Sequence, residues 1–236
     1  MATVASAFHT NSAKRDLLKP GRQQYYRQLF EAQAARSYLY LSLGIGLIAV
    51  FLPIILMIAG GYQTHDSMSS FYHDKTGPDR DILVGSLCAV GVFLFLFHGL
   101  SKLENWLLNF AGMAIIAVAL IPSPADTGYG SALLHRSAAI IFFLLIGIVA
   151  IFLSKRRIRD IEDERKKLWF TSAYTLVGVL MVAAPIIVTL LQYAPLPFFS
   201  GHAILLAECT GIWSFSAYWF LKTFEYRLLL GVRWRV

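Results

Sequence analysis

Six apolar stretches divide this chain, running about Tyr38 to Gly60, Asp81 to Leu100, Trp106 to Pro122, His135 to Leu153, Leu168 to Leu191 and Gly201 to Leu221. Each is close to the roughly 20 residues that a helix needs to cross a hydrocarbon core, where backbone groups must be satisfied within the segment itself. The expected fold class is therefore all-α, a bundle of six transmembrane helices. Basic residues sort strongly by side. Of the 21 Lys and Arg, 18 lie in the N-terminal arm, the turn at Lys102, the loop from Lys155 to Lys167 and the tail from Lys222 onward, whereas Lys75, Arg80 and Arg136 fall on the opposite side. The positive-inside rule then places both termini in the cytoplasm, as expected of a multi-pass protein of a plasma or inner membrane.

Composition agrees, with 57% hydrophobic and 15% charged residues. The net charge of +7 needs no nucleic-acid partner, because cationic loops beside spans serve orientation and attract anionic lipid headgroups. Residues 1–37 read as a cytoplasmic arm whose part from Arg22 to Ser37 carries Tyr25, Tyr26, Leu29, Phe30 and Ala34 at helical spacing, suited to an interfacial amphipathic helix or to docking a partner. This arm holds no apolar core long enough to be a cleavable signal. Residues 38–222 form the membrane domain and 223–236 a basic tail. Cys88 and Cys209 both lie inside spans and read as packing residues, while Pro53 and Pro185 are expected to kink spans one and five.

The loops are short except the first outer one, Gly61 to Arg80, and a loop of that length over a compact bundle is more often functional than idle. Leaving out His9 in the arm, four of the five other histidines map to the same side: His65, His73, His135 and His202. Glu208 lies six residues beyond His202, roughly 9 Å below the mouth of span six at the helical rise. It is expected to be the only acidic residue well inside a span, and a carboxylate there costs at least about 2.5 kcal/mol unless it is paired, protonated or wetted. These groups define an outward-facing polar funnel with Asp81, His135, His202 and Glu208 on its walls and Tyr72, His73 and Arg80 in a lid above.

Several chemistries fit such a funnel. Zinc accepts histidine and carboxylate ligands, which makes His73, His135 and His202 a candidate metal set, although no HxxxH or HExxH spacing occurs. Haem is the weaker cofactor candidate, held between His135 and His202. Proton or ion transport would use Glu208 with His135 or His202, yet an inner half of the pathway has only His98, Glu104, Asn105 and Asn109 to offer. A purely structural account pairs Arg80 and Arg136 with Asp79, Asp81 or Glu208. Ser67, Ser69 and Ser70 lie near His65 and His73, which suggests nucleophilic hydrolysis only weakly, since a triad is defined by geometry.

The run Ser69-Ser70-Phe71-Tyr72-His73, followed by Arg80-Asp81, His135 and Glu208, resembles uncharacterised bacterial six-span membrane proteins. In layout it is also similar to the autophagy-modulator type of six-span eukaryotic protein, whose first outer loop is polar and Ser-rich. That resemblance implies a helical bundle and a role in membrane lipid handling. Ser69-x3-His73 also resembles the Ser-x3-His element of the ceramidase and adiponectin-receptor superfamily of membrane zinc hydrolases. That family has seven spans, sets the element in a helix and ends in His-x3-His, whereas here the element is in a loop and His202 precedes Ala203-Ile204-Leu205-Leu206.

The leading expectation is a pocket that binds a membrane lipid or other amphiphile, with Tyr72, His73, Arg80 and His135 at the headgroup, or a membrane accessory protein. The alternative is a metal-dependent lipid hydrolase with Asp81 or Glu208 as general base. Further alternatives are proton- or ion-coupled transport and an accessory subunit of a larger complex. The sequence leaves open whether any reaction is catalysed.

Overall fold

The computed structural model describes residues 20–61, 65–73, 77–99, 101–121, 131–159, 161–193 and 202–230, and among these no strand occurs. The six long helices are α1 (Pro20–Ala59), α2 (Asp79–Leu96), α3 (Lys102–Leu120), α4 (Ala132–Ile148), α5 (Glu164–Tyr193) and α6 (Ala203–Leu230). A 3₁₀ turn, Met68–His73, lies between α1 and α2, and a π turn, Val149–Leu153, followed by a short helical turn, Lys155–Ile158, lies between α4 and α5.

Five of the six helices are long and apolar enough to cross a membrane, which makes this an integral, multi-pass membrane protein. Helix α2 is the exception by composition. Its 18 residues open with Asp79, Arg80 and Asp81, and it ends at Leu96 because Phe97 is extended, four residues short of the expected stop. Large apolar side chains such as Ile58, Leu120, Leu133 and Phe152 cover the outside of the bundle. A perimeter of that kind exceeds the apolar patches of soluble monomers and suits contact with lipid chains.

Each helix packs on its neighbour in the chain, and α6 packs on α1, so the six close into a ring. Three side-chain bonds set the antiparallel register of that closing pair. Ser42 Oγ lies 2.9 Å from Thr223 Oγ1, Ser216 Oγ donates to the Gly46 carbonyl at 2.8 Å, and Trp213 Nε1 donates to the Val50 carbonyl at 3.3 Å. Two other seams rely on paired glycines, the device that lets backbones meet where lipid removes the hydrophobic drive for helix association. A Cβ on Gly112 of α3 would stand 2.8 Å from the Gly91 carbonyl oxygen of α2. Likewise, a Cβ on Gly147 of α4 would stand 3.2 Å from the Gly178 oxygen of α5, and the reverse holds at the same distance.

Two elements differ from expectation. The segment from Arg22 to Ser37 is continuous with span one in an unbroken helix of 40 residues, roughly 60 Å long, and Tyr25, Tyr26, Leu29 and Phe30 stand exposed on it. Helix α6 runs past Leu221 to Leu230, so residues 223–230 of the expected basic tail belong to the bundle, and Thr223, Glu225 and Tyr226 are buried. Residues 1–19 and 231–236 lie outside the described residues, as does Lys75.

Candidate functional site

The first long loop folds back as a plug. Its 3₁₀ turn buries Met68 and Phe71 against Leu52 and Leu56 of α1, Leu83 of α2, and Leu205 and Cys209 of α6. His65 stacks on Phe71 with ring centroids 3.9 Å apart and donates from Nδ1 to the Gly61 carbonyl at 3.3 Å. Glu208 then fixes the turn, since its Oε2 accepts the Met68 amide at 2.6 Å. The three serines serve the turn too: Ser70 Oγ donates to the Ser67 carbonyl at 2.6 Å, and Ser67 Oγ lies 3.0 Å from Ser69 Oγ.

Beneath this lid the ring encloses a chamber of about 120 Å³. Its walls are apolar: Ile48, Ala49 and Leu52 from α1, Leu83, Leu87 and Val90 from α2, Ile115, Val118 and Ala119 from α3. Helix α4 adds Ala139, Phe142 and Phe143, and α6 adds Ile212 and Phe215. Polar groups gather at the lid end alone, where Ser69, Tyr72, His135 and Glu208 line the same space. A second cavity of about 100 Å³ lies between α4, α5 and α6 and shares Ser69, His135, Ala139, Phe143 and Glu208 with the first.

Of the expected site residues, the structure brings Tyr72, His135 and Glu208 to the chamber and leaves His73, Arg80, Asp81 and His202 off its walls. Asp81 is exposed on the first turn of α2, two positions from the buried Asp79 and so turned about 200° from it. Arg80 acts at one remove: Nη2 donates to the Tyr72 hydroxyl at 3.1 Å and the guanidinium sits 4.7 Å from the Tyr72 ring centre. It therefore orients a lining residue. His135 Nδ1 donates to the Ile121 carbonyl at 2.7 Å, which holds the ring at the lid end of the chamber. His202 Nδ1 donates to the His65 carbonyl at 3.3 Å. Among the described residues no three His, Cys, Asp or Glu gather closely enough to hold a metal ion, and the candidate set His73, His135 and His202 does not form. The chamber as it stands has no room for a haem, since a cavity of roughly 150 Å³ takes only a benzene-sized guest. The structural pairing is also absent: neither Arg80 nor Arg136 forms an ion pair with Asp79, Asp81 or Glu208.

A second polar cluster, at the far end of the ring, was not legible in the sequence. Lys222 Nζ of α6 lies 3.7 Å from Glu104 Oε1 of α3 and 3.7 Å from Glu225 Oε2, and all three side chains are 3% exposed or less. Tyr174 of α5 donates its hydroxyl to Glu225, and Tyr218 lies 3.2 Å from Ser154 Oγ. Lys222 also sits 5.6 Å from the Tyr174 ring centre and 5.8 Å from that of Tyr218. Glu208 is thus not alone in depth, because Glu104 and Glu225 are buried too, at 3% and 0% exposed. The signal that could have found them is the i,i+3 spacing of Lys222 and Glu225 directly after an apolar run, a place where a charge ordinarily marks the end of a span.

No family model, curated protein or solved structure matches this chain.

Proposed function

We propose that this protein is a six-span membrane bundle with both termini in the cytoplasm and the lid on the outer face, and that its chamber holds one apolar chain of a membrane lipid or similar amphiphile. The observation carrying this reading is the division of the chamber into apolar walls from five helices and a polar end of Ser69, Tyr72, His135 and Glu208. A pocket with many apolar contacts and a few convergent polar groups matches a ligand divided in the same way. Its size suits the end segment of one chain rather than a whole two-chain lipid, because about 120 Å³ is comparable to the cavities that admit a single ring-sized apolar guest. Helix α2 completes the six, with its first turn at the headgroup level and the apolar remainder packed on α1 and α3.

A single-chain alcohol in detergent solution tests the reading. Added to purified protein, it should raise the melting temperature in a saturable way, and Leu87→Trp, which fills the chamber, should abolish the shift. A shift that survives the Trp variant would place binding elsewhere and overturn the proposal. Topology is tested separately in a background without Cys88 and Cys209: cysteine placed at residue 73 should react with an impermeant reagent from outside, and cysteine at 156 should not.

An accessory role is a second reading, supported by the exposed Tyr25, Tyr26, Leu29 and Phe30 on the extension of α1. Replacing these four by Ser should release a co-purifying partner if they dock one.

A further inference from the structure

The lid closes the chamber along the axis of the ring, since Phe71 is fully buried and Met68 nearly so, with the turn tied to Glu208. The side is different. Helices α4 and α5 meet backbone to backbone at Gly147 and Gly178, but nearer the lid they stand apart around the second cavity. Pro185 lies inside α5 at that level and lines the gap with Ala184, Val188 and Thr189, where a proline bends a helix and frees a carbonyl. Thr189 Oγ1 donates to the Pro185 carbonyl at 2.8 Å, so this hydroxyl is bonded back to its own helix. Facing it are Ala139, Ile140 and Phe143 of α4. The Phe143 ring is packed on Gly211 of α6, where an added Cβ would lie 3.1 Å away, and it borders both cavities together with the small Ala139. Arg136 is exposed at the rim of the same gap and forms no ion pair among the described residues.

We infer that the gap between α4 and α5 is a side entrance through which one acyl chain of an anionic membrane lipid slides past Ala139 and Phe143 into the chamber, while Arg136 holds the headgroup. This rests on the reading of the chamber as an amphiphile site and adds the route and the headgroup charge. The chemistry runs in order along the path. A phosphate meets Arg136 at the rim, the ester region passes Ser69 and His135 at the shared edge, and the chain reaches Leu87, Ile115 and Phe215 beyond. The guanidinium suits a phosphate because its fork of donors matches two oxygens at once.

The test uses the full chain in phosphatidylcholine nanodiscs doped with phosphatidylglycerol that bears a diazirine at one chain end, with peptide mapping of the adducts after irradiation. Adducts are expected on the chamber stretches of α2, α3 and α6. Ala139→Phe should reduce these to the level of unirradiated protein while adducts on the outer surface persist, and Val188→Phe fills the same gap from α5 should the first variant fail to fold. Arg136→Gln should lower labelling by phosphatidylglycerol relative to an equally labelled phosphatidylcholine by about five-fold, the scale of one basic side chain at a lipid surface. Chamber adducts that persist in both plugged variants, or an unchanged headgroup preference in Arg136→Gln, would overturn the inference. A single-chain diazirine alcohol separates the two levels of argument. If it labels the chamber and the lipid does not, the side entrance falls and the amphiphile site stands; if neither does, both fall.

Discussion

Glu208 and Met68 meet across 140 positions of sequence: the Glu208 carboxylate, in the second turn of α6, accepts the Met68 amide at 2.6 Å. One hydrogen bond thereby joins the closure of the lid to the polar end of the chamber.

Removing that acceptor should loosen the lid without dismantling the ring. Glu208→Ala leaves the Met68 amide without its acceptor, at a cost of about 1–3 kcal/mol, whereas Glu208→Gln keeps an acceptor of similar shape. Hydrogen exchange over residues 65–73 should accelerate strongly in the Ala variant and slightly in the Gln variant, with the rest of the chain unchanged. Uniform acceleration throughout the chain would mean that Glu208 supports the bundle as a whole.

The far cluster should behave oppositely. Lys222 bridges α6 to Glu104 of α3 inside the ring, and Lys222→Met would leave two buried carboxylates facing one another without a cation. Loss of one partner from a buried ion pair costs about 3–5 kcal/mol. Equilibrium unfolding in mixed micelles should show that loss, and the double change Lys222→Met with Glu104→Gln should recover part of it. Equal stability of the single and double variants would deny the pairing.

Paired glycines make a sharper comparison. Gly112→Ala drives a methyl to 2.8 Å from the Gly91 carbonyl, a backbone atom that cannot swing aside, and overpacking of this kind costs about 1–3 kcal/mol. Gly85→Ala, on the same helix pair but with nothing within 4 Å of the new methyl, should be neutral or more stable by up to about 1 kcal/mol. Melting of the two variants side by side checks the seam.

Outside the spans, Asp163 caps α5. Its Oδ1 accepts the amides of Arg165 at 3.0 Å and Lys166 at 3.3 Å, and Lys166 Nζ lies 3.4 Å from Oδ2. The Lys166 amide above all, helped by the Lys166 and Arg165 contacts, holds the carboxyl below its ordinary value. A depressed folded value means that the cap's contribution is complete above the ordinary carboxylate range and fades as pH falls through the folded value. Exchange at the first turn of α5 should therefore quicken on acidification, and Asp163→Asn should flatten that pH dependence.

The all-helical class and five of the long apolar helices were legible because a span must announce itself in about twenty residues of sequence. The plug was legible only in part: loop length marked 61–80 as special and its depth pointed to Glu208, but the meeting of Met68 with Glu208 depends on how the loop folds back. Asp81 was chosen as a wall residue because it sits at a helix mouth, yet two positions along a helix are about 200°, more than half a turn, and it is Asp79 that turns inward. Lys222 was placed in the tail and Glu104 was considered only for a proton path, and their meeting with Glu225 was missed for a physical reason. Charges mark the ends of spans when each is weighed alone, and only the ring geometry shows that these three neutralise much of one another's cost inside the bundle.

Closure of the ring by α6 against α1 carries a consequence for synthesis. Ser42 and Gly46 receive their partners, Thr223 and Ser216, some 170 to 181 positions later, and Glu104 receives Lys222 only when α6 has been made. Five helices must therefore wait in the bilayer with an open flank and with Glu104 lacking the cation of Lys222. The arrival of α6 supplies the missing cation and the missing wall together, which makes its insertion the committing event of assembly and leaves any ribosome-stalled or truncated product exposed to quality control.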